Sequence, residues 1–309
     1  MVHGQQANGR LISHRMRSFW HLRVLATLLL GCAPLLHADA QTAPGAGQTP
    51  SSPNAPAQPD KNGAAQPGAN NAPPDTSPPA LNPGRPTVTD PAALTAPGWI
   101  EAEFGIQKDL DRDRNLGTPL LLKLTARNAR VEYRLENDGY TRLGNGSDGI
   151  GDTNFAIQYL FLTQAKNAYD VSGRFNLKVP TADAAIGTRK FDYSLLALAS
   201  RDFSPTLHGD FNLGLASLTR QGAPGTDTQF LATASFTFPI KGGRWTYANE
   251  LVYFSPILGQ RAQVTTMHAL SYAVHRYLVL DAAIQWELHG DGPVFQALAG
   301  ATFFLGKVF

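Results

Sequence analysis

From about residue 98 to the end of the chain, apolar and polar residues alternate with a period of two, and that period leaves few folds open. Ile100, Ala102, Phe104 and Ile106 alternate with Glu101, Glu103, Gly105 and Gln107. Val131, Tyr133 and Leu135 do the same against Arg130, Glu132, Arg134 and Glu136, as do Val171, Phe175, Leu177 and Val179 against Ser172, Arg174, Asn176 and Lys178. Successive strand side chains point to opposite faces, so this is the pattern of strands with one greasy and one polar face. The rule predicts twelve strands, starting near residues 98, 120, 130, 151, 169, 191, 206, 228, 245, 262, 277 and 293. At about 8 to 15 residues each, they are long enough to cross a bilayer when tilted.

The connections predict the topology. After every second strand they are short ("RNA", "TQAKN", "SP", "KGG", "HR"), and the others run longer and richer in Gly and Asp, as in "NDGYTRLGNGSDGI". Short and long turns alternating around an even number of antiparallel strands describe an all-β, up-and-down transmembrane barrel. Alternation alone also suits a soluble sandwich or a lipocalin-like barrel. Strand length and two features of the chain ends favour the membrane.

The first of these is the apolar run Val24 to Leu36, with Arg17, His21 and Arg23 before it and the small pair Ala38 and Ala40 after it. Too short to span a bilayer, it reads as a secretory signal over residues 1–40, cleaved after Ala40, with Met16 a more natural start than Met1. Cys32, the only cysteine, lies inside it, so the mature chain has no disulfide; lipidation at Cys32 is the alternative. Residues 41–97 are rich in Pro, Ala and Gly and poor in large apolar side chains, a composition expected to form a disordered periplasmic tail. With a net charge of +2 and scattered bases, nothing points to nucleic acid.

The second feature is the ending "GATFFLGKVF". Steps of two back from Phe309 give Lys307, Leu305, Phe303, Ala301, Ala299, Ala297 and Phe295, an outward row broken only by Lys307. Phe309 is the expected signal for the barrel-assembly machinery. Trp99, Tyr159, Tyr169, Trp245, Tyr253 and Tyr277 are candidates for interfacial aromatic girdles.

Three ordered blocks, "GIGDTNFAIQYLFL" from Gly149, "VPTADAAIGTRKFDYSLLALASRDF" from Val179 and "LDAAIQWELHGDGPVFQALAGATFFLG" from Leu280, resemble the phenol-degradation MetA-type outer-membrane family. The likeness covers about Gly98 to Phe309. Its marks are Gly151 with Asp152, and Gly187 with Asp192 and Tyr193. The resemblance implies an outer-membrane barrel acting as a channel or transporter, with a thin link to aromatic catabolism and no defined substrate.

A charge at mid-depth on the lipid face costs about 2 to 4 kcal/mol, so the charged residues of the strands are expected inside. The lumen-lining candidates are Glu101, Glu103, Lys123, Arg130, Arg134, Arg174, Lys178, Asp192, Asp210, Glu250, Asp281 and Glu287. Leu196, Leu198, Val252 and Met267 are candidates for an apolar patch among them. Asp109, Asp111 and Asp113 have the spacing of a calcium loop, but Arg114 and Leu120 stand where its Gly and Glu belong. His268 is expected outward and Ser271 inward, which denies a lipase its pair; His208 is expected inward beside Asp210. No catalytic, cofactor or metal residue is expected, and the chain does not read as an enzyme. The expected role is passive passage of small molecules, hydrophobic or aromatic ones included, with outer-membrane lipid and lipopolysaccharide as surroundings. A non-transporting structural or surface barrel is the alternative, and a lipid enzyme a more distant one.

Overall fold

In a computed structural model, residues 79–309 are described, apart from 112, 113, 221–223, 241 and 258. The expected signal, Cys32, the expected cleavage after Ala40 and the expected tail to residue 78 lie outside the described residues. Twelve strands form a closed wall: β1 (Trp99–Asp109), β3 (Leu120–Thr125), β4 (Val131–Asn137), β7 (Thr153–Leu162), β8 (Asp170–Val179), β9 (Asp192–Ser204), β10 (Leu207–Thr219), β11 (Thr226–Pro239), β12 (Trp245–Phe254), β13 (Gln263–His275), β14 (Leu278–His289) and β15 (Phe295–Lys307). Each pairs antiparallel with its neighbours, and β15 pairs with β1 along the whole length of β1, so no edge remains. The short strands β2 (Leu116–Gly117), β5 (Tyr140–Arg142) and β6 (Asp148–Ile150) extend the sheet into the long connections. All twelve expected starts fall within two residues of the observed ones.

Burial decides which face is inside. Glu101, Glu103, Lys123, Glu132 and Glu250 are buried, whereas Leu195, Leu213, Leu215 and Phe161 are each more than half exposed. Charges inside and large apolar side chains outside reverse the order of a soluble protein. They match a barrel solvated by hydrocarbon, in which closure is what satisfies every backbone group.

The terminal strand departs from the expected count of two. A register shift between Ile100 and Glu101 leaves Leu305 as an extra residue, so Glu101 pairs with Phe304 while Trp99 pairs with Lys307. The bulge breaks the parity, and Lys307 does not continue the outward row. Trp99 packs on Phe304 at 5.2 Å between ring centroids and is half-buried, whereas Tyr159, Trp245, Tyr253 and Tyr277 are exposed. Tyr169 lies under the Arg201 guanidinium.

Candidate functional site

Nine of the twelve expected lumen residues, Glu101, Glu103, Lys123, Arg134, Arg174, Asp192, Asp210, Glu250 and Asp281, are buried on the inner wall. Lys178 joins them, paired with Asp152 and Asp192. Glu287 closes the loop after β14, accepting the Gly292 N–H at 3.0 Å. Arg130 is a correction: it precedes β4, and its guanidinium donates to the carbonyls of Leu160 and Phe161 at the short-turn rim. The turn between β3 and β4 leaves it there, although its parity is that of the inward row.

The larger correction is what fills the lumen. Residues expected in a disordered tail, from Asn82 to Thr95, run inside the barrel and are hydrogen-bonded to its wall. The wall carboxylates take the place of a neighbouring strand. Glu101 accepts the N–H of Asn82, Glu103 those of Gly84 and Arg85, Glu250 those of Val88 and Thr89, and Glu132 that of Thr95, at 2.5 to 3.2 Å. Asn212 accepts the Asp90 N–H at 2.8 Å and the Ser200 hydroxyl that of Ala92 at 2.7 Å. Gln158 and Ser172 donate to the Ala92 carbonyl. The contacts pass from β4 through β7, β8 and β9 to β10 and β12 and on to β1, a circuit of the wall, and Asn82 Nδ2 closes the loop by donating to the Ala93 carbonyl at 2.8 Å. Gly98, at φ 78°, then turns the chain into β1 with Phe309 packed where a side chain would be. Arg127 stacks over the far Phe309 ring at 4.9 Å.

Between residues 79 and 98 there are two charges, Arg85 and Asp90. They dock at separate places on the wall. Arg85 lies over the paired glycines Gly105 and Gly300, donates to the Ala299 carbonyl at 3.2 Å and faces Asp281 at 3.7 Å. Asp90 bridges Arg134 at 2.9 Å and Arg174 at 2.6 Å. Burial would raise the Asp90 carboxyl, but the charges of Arg134 and Arg174 outweigh it and hold it well below the usual carboxylate range. Lys123 sits between Glu101 and Glu103 at 2.5 Å from each and donates to the Asn82 carbonyl.

The segment has a cavity on each side. The one toward the long loops, about 190 Å³, is lined by Arg85, Asp90, Glu103, Leu121 and Arg134 among others. The one toward the short turns, about 170 Å³, is lined by Pro86, Thr89, Asp210, Arg244 and Ser271 among others, and Arg85 and Thr87 border both. Of the expected apolar patch, Leu198, Val252 and Met267 are buried, and Met267 clusters with Ala269 and Ala283. His208 lies between Asp202 and Asp210, at 2.7 and 3.1 Å. His268 is hydrogen-bonded to Tyr247 and stacked on Trp286, and Ser271 lines the cavity toward the short turns, so the two are not brought together. Asp109 and Asp111 are spent on Gln296 and Val294, and Asp113 lies outside the described residues.

No family model and no curated protein matches the chain. Among solved structures, the fold is similar to an outer membrane channel from Pseudomonas putida F1, with a TM-score of 0.56 and 12% identity over 73% of this chain and 100% of that one. A NanC porin also aligns, with a TM-score of 0.49 and 11% identity over 66% of this chain and 98% of that one. What this chain shares with the first of these is the fold, a closed antiparallel β-barrel.

Proposed function

We propose that the chain is an outer-membrane channel for passive passage of small molecules, hydrophobic or aromatic ones among them, and that residues 79–97 narrow its lumen. The observation that carries this reading is a closed barrel, greasy outside and charged inside, with a cavity on either side of the internal segment. Short turns and the start of β1 then face the periplasm, with residues 41–78 as a periplasmic tail and the long loops toward lipopolysaccharide. Phe309 is the assembly signal, and the MetA-type likeness supplies the aromatic class of solute.

One observation favours the non-transporting alternative: the segment's contacts are continuous around the wall. Recording from the full-length protein in a planar bilayer, beside a variant lacking residues 79–95, separates the two. A channel gives measurable ion current in at least one of them, larger in the deletion. Silence from both, with the barrel correctly inserted, refutes transport.

A further inference from the structure

The arginine pair that holds Asp90 has the form of a carboxylate-binding site occupied by the chain itself. Arg134 on β4 and Arg174 on β8 come from strands that do not pair with each other, and each contributes Nη2 to one oxygen of the same carboxylate. Both are more than nine-tenths buried. Nε and Nη1 of Arg174 have no hydrogen-bond partner among the described residues, which leaves donors on either side of the engaged Nη2 for a second acceptor. Pro119 and Leu121 give the long-loop cavity beside Arg134 an apolar surface for the body of a ligand.

Access comes from the long-loop end, where the larger cavity has Asp90 and Arg134 in its lining. At about 190 Å³ it exceeds the roughly 150 Å³ cavities that take up benzene. The other carboxylates there are engaged or peripheral. Glu103 is held by Lys123, Glu136 lies 3.4 Å from Arg134 Nε, and Asp138 stands beyond the end of β4. Glu136 and Asp138 set a negative rim that disfavours polyanions.

We propose that Arg134 and Arg174 bind the carboxylate of a small organic monoacid, and that Asp90 is the internal group this acid displaces. The proposal rests on the channel reading above, in which displacement of Asp90 loosens the segment and widens the lumen.

The test is calorimetric titration of the full-length protein in micelles with benzoate and with benzamide, its uncharged counterpart. Benzoate is expected to bind at least about tenfold more tightly, because charge-assisted bonds to arginine are the stronger kind. Asp90→Asn, which removes the competing charge, is expected to tighten benzoate at least about tenfold, and Arg174→Gln added to it to abolish the gain. Heat-modified mobility on gels verifies that each variant is folded, and Asp90→Asn alone carries the test if the double variant is not. Equal binding of benzoate and benzamide, or an unchanged benzoate affinity in Asp90→Asn, overturns the proposal. Benzoate binding as expected without ion current in any variant refutes the channel and leaves the acid site standing; current without benzoate preference does the reverse.

Discussion

The glycine pair under Arg85 offers a perturbation that alters the lumen segment's docking without touching the segment. Gly105 and Gly300 are cross-strand partners on β1 and β15, and a Cβ on Gly105 would stand 2.2 Å from the guanidinium carbon. In Gly105→Ala the arginine must swing away, giving up its bond to the Ala299 carbonyl and its approach to Asp281. Asp281, whose side chain is 1% exposed, then loses its facing cation. Breaking a buried pair costs about 3 to 5 kcal/mol; this pair, at 3.7 Å, is long, so about 2 to 3 kcal/mol is the better figure by the range for bonds to charged groups. At 1.4 kcal/mol per decade, that multiplies the ratio of undocked to docked segment roughly 30- to 140-fold. The sheet itself should not weaken, since Ala is easier to order than Gly. Single-channel recording of the full-length protein reads the change as open fraction. Gly306→Ala is the control, because a Cβ there meets nothing within 4 Å. An open fraction in Gly105→Ala equal to the parent's, or an equal rise in Gly306→Ala, refutes the reasoning.

Glu250→Ala strips the acceptor from two N–H groups and the Thr89 hydroxyl; unsatisfied buried donors cost about 1 to 3 kcal/mol each, so amide exchange at Val88 and Thr89 should accelerate at least about tenfold. Lys123→Met leaves Glu101 and Glu103 buried without their cation, and a loss of about 3 to 5 kcal/mol should lower the temperature at which the barrel unfolds on gels. Leu213, 56% exposed in the middle of β10, should tolerate arginine poorly: about 2 to 4 kcal/mol at mid-depth, seen as less folded barrel in the membrane. Asp90, with its carboxyl depressed in the docked state, contributes docking stability present above about pH 4, its unfolded value, and lost as pH falls through the folded one. The Asp90 share of docking, read as the difference in amide exchange between the parent and Asp90→Asn, should therefore be level from about pH 8 to 4 and shrink only below that.

Much of the wall was legible because its signal is local. A period of two needs only neighbours in sequence, and Glu101, Glu103 and Glu250 could be assigned inward from Phe104, Ile106 and Leu251 beside them. Failures came where partners are distant. The bulge at Leu305 arises from pairing with β1, some two hundred residues earlier, and no pattern within "FFLGKVF" announces it. Arg130 has the right parity and the wrong address, because the turn before β4 claims it. Residues 82–95 have a composition that cannot bury enough surface by itself, yet their order comes from the Glu101, Glu132, Asn212 and Glu250 side chains. The available signal was indirect. Four inward glutamates on β1, β4 and β12 share the lumen with few free cations, a surplus of acceptors that calls for donors from somewhere.

The prolines that make the tail look disordered also make it suitable for a lumen. Pro83, Pro86 and Pro91 carry no N–H, so a chain rich in them brings fewer donors that must be paired once water is excluded. The donors it does bring meet carboxylates that can each accept two, as Glu103 and Glu250 do. Each such bond replaces one to water, so its net worth is about 1.5 to 3 kcal/mol rather than the full vacuum strength. When the segment leaves, the same carboxylates hydrate, and the wall they line remains compatible with water. A lumen built of apolar side chains would instead oppose both the wetting and the return of the segment. A charged wall is therefore compatible with release as well as with docking.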